Sequence, residues 1–224
     1  MQCTICTPRD PALIAQFPYA MTPEGPSAGN PVNLRICVYC ASSRSCDPEY
    51  HRAAHRLGVL LARHSWSVVY GGGAYGSMGA LADGAITGGG KITGVIPNFM
   101  KDLEWAHGGL SELRVVEDMR TRKHLMLSDS DAVVALPGGT GTLEELFEAI
   151  TLKRLGIYLN PIILVNMRGF YDPLLALLDR CIREKFMDSQ HEAMWRVVGD
   201  VEEVIPAILH APRWTREARK FAVI

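Results

Sequence analysis

The stretch AVVALPGGTGTLEE, Ala132 to Glu145, passes from an unbroken apolar run through a glycine turn into residues of helical character. A continuous apolar run without alternation fits a parallel strand covered on both faces. Glycines at 138, 139 and 141 take side chains away from the first backbone N–H groups of the following helix. Those donors, at the positive end of the helix, can hold an anion. The turn lacks the GK[ST] ending of a nucleoside-triphosphate loop.

The same alternation extends in both directions. Leu34–Ala41, Ser67–Tyr70, Ile92–Ile96 and Ile162–Val165 read as strands, with Leu113–Val116 and Arg196–Val198 as weaker ones. Helices are expected over Pro48–His64, Ser77–Thr87, Asp118–Ser130, Thr142–Leu155, Tyr171–Lys185 and Val201–Leu209. Asp47 precedes Pro48 as a good N-cap, and Gly88-Gly89-Gly90 is a stop signal. Strands alternating with helices predict one α/β domain, a Rossmann-like doubly wound parallel sheet, over residues 34–211. In such a sheet the ligand lies at the carboxyl ends of the strands. Ala41-Ser42-Ser43, Gly71 to Gly79, Pro97 to Gly109 and Pro137 to Glu145 are therefore the informative segments.

Gly71-Gly72-Gly73-Ala74-Tyr75-Gly76 formally matches GxGxxG. The dinucleotide form wants an acidic residue after the next strand, and here that strand ends Gly94-Val95-Ile96-Pro97. Two readings stay open: a tight turn with close packing, or a backbone cradle for phosphate or ribose. Thr142-x-x-Glu145 spells a capping box, with Glu144 and Glu145 in the first helical turn. The same carboxylates stand beside the anion site, where they can face a ribose. Arg122 and Lys123 lie early in a helix, where cations oppose the dipole; an anionic partner or a solvated surface would explain them.

The chain has 224 residues, 48% hydrophobic and 21% charged, enough for a full core. Lys+Arg 23 against Asp+Glu 24 gives a net charge of −1, without the basic excess of a nucleic-acid binder. No apolar run approaches the roughly 18 residues of a membrane helix. Residues 1–33 hold Pro8, Pro11, Pro18, Pro23, Pro26 and Pro31 and read as a loose arm without the pattern of a secretory signal. The expected compartment is the cytoplasm. Residues 212–224 form a basic, amphipathic tail that would cover the sheet or a partner subunit.

Cys3-x-x-Cys6 and Cys37-x-x-Cys40 could spell a zinc site, but Cys37 and Cys40 fall in an apolar strand and point to opposite faces. Small buried thiols in a reducing compartment fit better, and no metal is expected. His51 and His55 share a helix face without a third ligand and read as surface histidines. Trp105 and His107 either line a base pocket or pack a loop; Trp66, Trp195 and Trp214 read as core or edge packing.

Together these pieces resemble the lonely guy (LOG) family, the cytokinin riboside 5′-monophosphate phosphoribohydrolases. Pro137 to Glu145 fits its PGGxGTxxE signature, and Arg122-Lys123 its RK element. Gly71 through Gly79 is similar to its GGGxxGxMG loop, and Tyr39-Cys40-Ala41-Ser42-Ser43 to its first-strand ending. The resemblance implies a Rossmann-like homodimer without metal or organic cofactor. The implied reaction is hydrolysis of the N-glycosidic bond of a purine 5′-monophosphate, giving free base and ribose 5-phosphate. It also implies Arg122 and Glu145 as the catalytic pair. Glu104, Lys123, Gly138, Gly139, Thr140, Gly141, Thr142, Glu144 and Thr151 would contact substrate, with Ser42 and Gly73 from the two other loops.

Family members have also been labelled lysine decarboxylases, but no pyridoxal-phosphate lysine site is recognisable. Thr140 replaces a tyrosine common in the family, and Thr151 to Gly156 lacks an aromatic residue of plant-like members. A cytokinin-type or plain adenosine monophosphate therefore both remain as substrates. The rival reading is a non-catalytic nucleotide or cofactor carrier of the same fold, in which Glu145 only caps its helix. Apolar Leu125, Met126, Leu127, Leu146 and Phe147 exceed what one core face needs and suggest the dimer contact.

Overall fold

The computed structural model describes residues 33–101 and 106–222. The proline-rich arm with Cys3 and Cys6, and the pair Glu104 and Trp105, lie outside the described residues. Seven strands form one sheet: β1 Arg35–Tyr39, β2 Ser67–Tyr70, β3 Ile92–Pro97, β4 Glu112–Val116, β5 Ala132–Ala135, β6 Ile162–Val165 and β7 Arg196–Val198. All pairings are parallel, in the order β4-β3-β2-β1-β5-β6-β7. The helices are α1 Pro48–Arg63, α2 Gly76–Thr87, α3 Met119–Leu127, α4 Thr140–Arg154, α5 Asp172–Arg183 and α6 Val204–Leu209. Strand order reverses between β1 and β5, which makes the crevice beyond their carboxyl ends the expected ligand position.

Side-chain alternation along β1 builds two cores. Ile36, Val38 and Cys40 join the layer under α1, α2 and α6. Cys37 and Tyr39 join the opposite layer with Met126, Leu146, Ala149 and Leu178, from α3, α4 and α5. Cys37 and Cys40 thus sit on opposite faces, and burial pushes both thiols upward. Between α1 and α2 the contact is close: a Cβ built on Gly84 would lie 2.0 Å from the His55 carbonyl oxygen.

Several boundaries differ from the sequence expectation. The helix expected over Val201–Leu209 opens as a 3-10 turn, Val201–Glu203, before α6. More consequentially, α4 begins at Thr140, with Gly139 as its N-cap in extended backbone. Thr142 is therefore inside the first turn and Glu145 lies in the second, so the expected capping box does not exist. The tail packs on its own chain, over the end of α4. Trp214 Nε1 donates to the Lys153 carbonyl (2.9 Å) and Arg219 Nε to that of Leu155 (3.2 Å), satisfying carbonyls a helix end leaves open. No helix among the described residues is long and apolar enough to cross a membrane.

Candidate active site

At the head of α4 the turn Gly138-Gly139-Thr140-Gly141 is open. Gly139, Thr140 and Gly141 are exposed, and a Cβ on Gly139 or Gly141 would meet nothing within 4 Å. Thr142 is buried, and its Oγ1 lies 2.2 Å from where a Gly138 Cβ would be. Glycine at 138 thus leaves room for the Thr142 hydroxyl to fold back under the turn, and the first N–H groups of α4 have no partner within their own helix.

Further along the helix, Glu145 is buried, 6% exposed. Its charge acts on the thiols of Cys37 and Cys40 and on the Tyr39 phenol, all at the end of β1. Burial pushes the Cys40 thiol up most; Glu145 adds to that rise and Arg122 opposes it. Both residues of the expected catalytic pair are thus near enough to the end of β1 for their charges to act on the Cys40 thiol.

Arg122 is 3% exposed, which overturns the solvated-surface explanation. Asp118 caps α3 by accepting from Thr121 N (2.7 Å), a bond that holds its carboxyl below the usual range. Arg122, in the next turn, faces the sheet. Its Nε donates to the Val95 carbonyl (3.1 Å) and its Nη2 to that of Gly71 (3.0 Å). Met100 and Met119 place their sulfurs 3.8 Å and 3.7 Å from Nη1.

Lys123 turns the other way. It pairs with Glu144, and with Glu148 at 3.0 Å. Burial pulls its ammonium down, but the two glutamates outweigh that and leave it above the ordinary lysine range. Glu148 was not singled out in the sequence; its i+4 spacing from Glu144 is the signal that could have found it.

The remaining expected positions are not equivalent. Ser42 is exposed beside the site, in a loop tied to α2 by the bond from Met78 N to the Ala41 carbonyl (3.1 Å). Gly73 is buried; its carbonyl accepts from Tyr70 OH (3.2 Å) and it bridges to Ala106. These contacts give Gly73 a structural place in the loop after β2. Thr151 is exposed about 16 Å along α4 from Thr140, so this chain does not bring it to its own turn. Of the apolar residues proposed for a dimer contact, Met126, Leu127 and Leu146 are core residues of their own chain, while Phe147 is 39% exposed.

His107 packs its loop: Nδ1 accepts from Gly109 N (3.1 Å), so Nε2 carries the proton and donates to Asp83 (3.0 Å). His51 is held at Ser43 O (3.0 Å) and Cys46 Sγ (3.1 Å). Among the described residues no three His, Cys, Asp or Glu side chains converge as a metal site.

Fold and site define an α/β protein with an open glycine turn at the head of a helix and a buried carboxylate near the switch point of its sheet. A family model described as "Possible lysine decarboxylase" matches residues 78–208. The chain is 40% identical over 179 residues to the cytokinin riboside 5′-monophosphate phosphoribohydrolase of Rhodococcoides fascians, covering 80% of this chain and 90% of the relative. It is 42% identical over 187 residues to the enzyme of that name, LOG1, of Arabidopsis thaliana, covering 83% and 88%. A similar solved structure is the molybdenum cofactor carrier protein of Chlamydomonas reinhardtii, with TM-score 0.62, 22% identity and coverage of 80% of this chain and 99% of that one. Another is the molybdenum cofactor binding protein of Rippkaea orientalis, with TM-score 0.61, 23% identity and coverage of 79% and 95%. At such identities these two show the shared fold. The chain belongs to the LOG family of phosphoribohydrolases, a family of hydrolases.

Proposed function

We propose that this protein hydrolyses the N-glycosidic bond of purine nucleoside 5′-monophosphates, cytokinin-type or adenosine, releasing the free base and ribose 5-phosphate. The observation that carries the reading is Glu145: a buried carboxylate in the second turn of α4, near enough to the end of β1 to act on the Cys40 thiol and following an open glycine turn. Breaking the C1′–N bond builds positive charge on the ribose. A buried carboxylate stabilises such an oxocarbenium-like state and orients the attacking water. Water gives its hydroxyl to C1′ and a proton to the departing nitrogen.

The N–H groups of Gly139, Thr140 and Gly141 take the 5′-phosphate, whose binding energy fixes the sugar over Glu145. Arg122, locked to two carbonyls, is the fixed cation of the pair. Lys123 and Glu144 stand at the rim toward the phosphate and the ribose hydroxyls. The exposed face of α4 continues from Glu144 through Phe147 and Thr151 to Leu155. This stripe supports a homodimer in which the second copy covers it, and a dimer is the way Thr151 can approach a substrate. The free thiols Cys37, Cys40, Cys46 and Cys181 suit a cytoplasmic enzyme.

The test is to incubate the protein with adenosine, AMP and N6-isopentenyladenosine 5′-monophosphate at equal concentration and to measure free base. Turnover of a monophosphate and little of the nucleoside is expected. Equal turnover of adenosine and AMP would remove the phosphate role of the turn, and no free base from any of them would remove the activity.

A further inference from the structure

We propose that Gly71 is a positioning residue for the reaction: the missing side chain there lets the Arg122 guanidinium dock against the end of β2 and fixes where its charge stands. The inference rests on the role given to Arg122 above. Arg122 is a buried cation, and a buried cation keeps one geometry only where acceptors hold it. Two of its nitrogens are held by carbonyls far away in sequence, Nε by Val95 and Nη2 by Gly71. The two bonds anchor the planar guanidinium at two points, on β3 and on the loop after β2.

Docking at Gly71 demands space that only glycine leaves. A Cβ built at residue 71 would lie 2.2 Å from Arg122 Nη2 and 3.3 Å from its Cζ, with the Met78 methyl at 3.1 Å. All three atoms are ends of flexible side chains. The backbone at Gly71 is not in the left-handed region that Gly72 and Gly76 occupy, so an alanine there meets no conformational strain. The situation differs from Gly58, where an added Cβ would meet the Leu81 carbonyl oxygen at 2.3 Å, and from Gly84. At those positions a methyl pushes helices apart. At Gly71 it pushes the guanidinium away and leaves the fold in place. Met100 and Met119 cannot replace the lost carbonyl, because thioether sulfur is a weak acceptor. Glycine at 71 therefore acts on chemistry through Arg122.

The experiment compares Gly71→Ala, Arg122→Ala, Arg122→Lys and the double variant Gly71→Ala/Arg122→Lys. For Gly71→Ala we expect kcat about 100-fold lower, the cost of misplacing a catalytic group by about an ångström. KM for the monophosphate should stay within about threefold, because the turn at α4 is untouched. The Arg122 Nε–H signal, expected to be sharp in the parent protein because Nε is bonded to the Val95 carbonyl, should move and broaden in the NMR spectrum of the variant. Lysine lacks Nη2, so adding Gly71→Ala to Arg122→Lys should cost less than about threefold further, and the double variant should fold like its Arg122→Lys parent.

An unchanged kcat, an unshifted Arg122 Nε–H, or the same loss in the Arg122→Lys background would overturn the positioning role. So would a Gly71→Ala chain that fails to fold while the double variant fails equally. Full activity of Arg122→Ala would instead strike the proposed role of Arg122, and the NMR signal would still decide whether Gly71 sets its position.

Discussion

Two glycine-rich loops follow strands of this sheet, and they do opposite work. After β2, Gly71, Gly72 and Gly73 are all buried, and their carbonyls are taken by Arg122, by His107 N (3.2 Å) and by Tyr70 OH. After β5, Gly139 and Gly141 are exposed, with open space where a Cβ would go. The first loop turns its acceptors inward and holds protein. The second begins a helix and turns donors outward, where they can hold an anion. Glycine content alone does not separate a cradle from a clamp; the direction of the backbone dipoles does.

The largest effect that sharpens this contrast belongs to Glu145, which the outward loop places. As a cap it would tolerate Glu145→Gln, since glutamine serves at that position too. Because α4 starts at Thr140, Glu145 falls in its second turn and not at the N3 position of a capping box. Glu145→Gln is expected to lower turnover at least about 100-fold with folding and monophosphate binding kept. Near-normal turnover of that variant would move the chemistry elsewhere.

A smaller effect tests the donors. Thr140 is the first residue of α4, a position where proline keeps the helix, and extended Gly139 before it accommodates the ring. Thr140→Pro removes one N–H from the turn and leaves Gly71 to Gly73 as they were. A hydrogen bond to a charged group contributes about 1.5–3 kcal/mol, so KM for the monophosphate should rise about 10- to 100-fold, measured beside an unchanged melting temperature. An unaltered KM would break the assignment of the outward loop.

The far end of α4 gives a third, smaller case, in which a cation is buried for structure. Lys153 is 2% exposed and donates to the Asn160 carbonyl (2.7 Å) beneath Trp214. Burial pulls its ammonium down to about 7. Between about pH 7 and the ordinary lysine range, the unfolded chain keeps a proton that the folded chain has released. Stability from this group therefore rises with pH across that window, by up to about 1.4 kcal/mol per unit, and is flat below it. Denaturant unfolding of Lys153→Met should lose that slope; an identical slope in both proteins would contradict it.

The strands read best from sequence were those buried on both faces, such as β1 and β5, because continuous burial leaves a continuous apolar run. The edge strands β4 and β7 read weakly because much of each faces solvent. The start of α4 was misplaced by two residues, since Thr140-Gly141 has poor helix propensity and tertiary packing of Thr142 decides the turn. Arg122 was the harder case. Arg120, Arg122 and Lys123 look alike in sequence, yet of the three only Arg122 is buried, and its acceptors Gly71 and Val95 lie far away in the chain, on the loop after β2 and on β3. The four-residue spacing from Arg122 to buried Met126 is the local trace of that orientation.

The most direct test of the two-loop account is a titration of the isotope-labelled protein with ribose 5-phosphate, following backbone amide signals. The account predicts large shifts at Gly139, Thr140 and Gly141 and only small ones at Gly71, Gly72 and Gly73. Large shifts in the loop after β2, with the head of α4 silent, would contradict it.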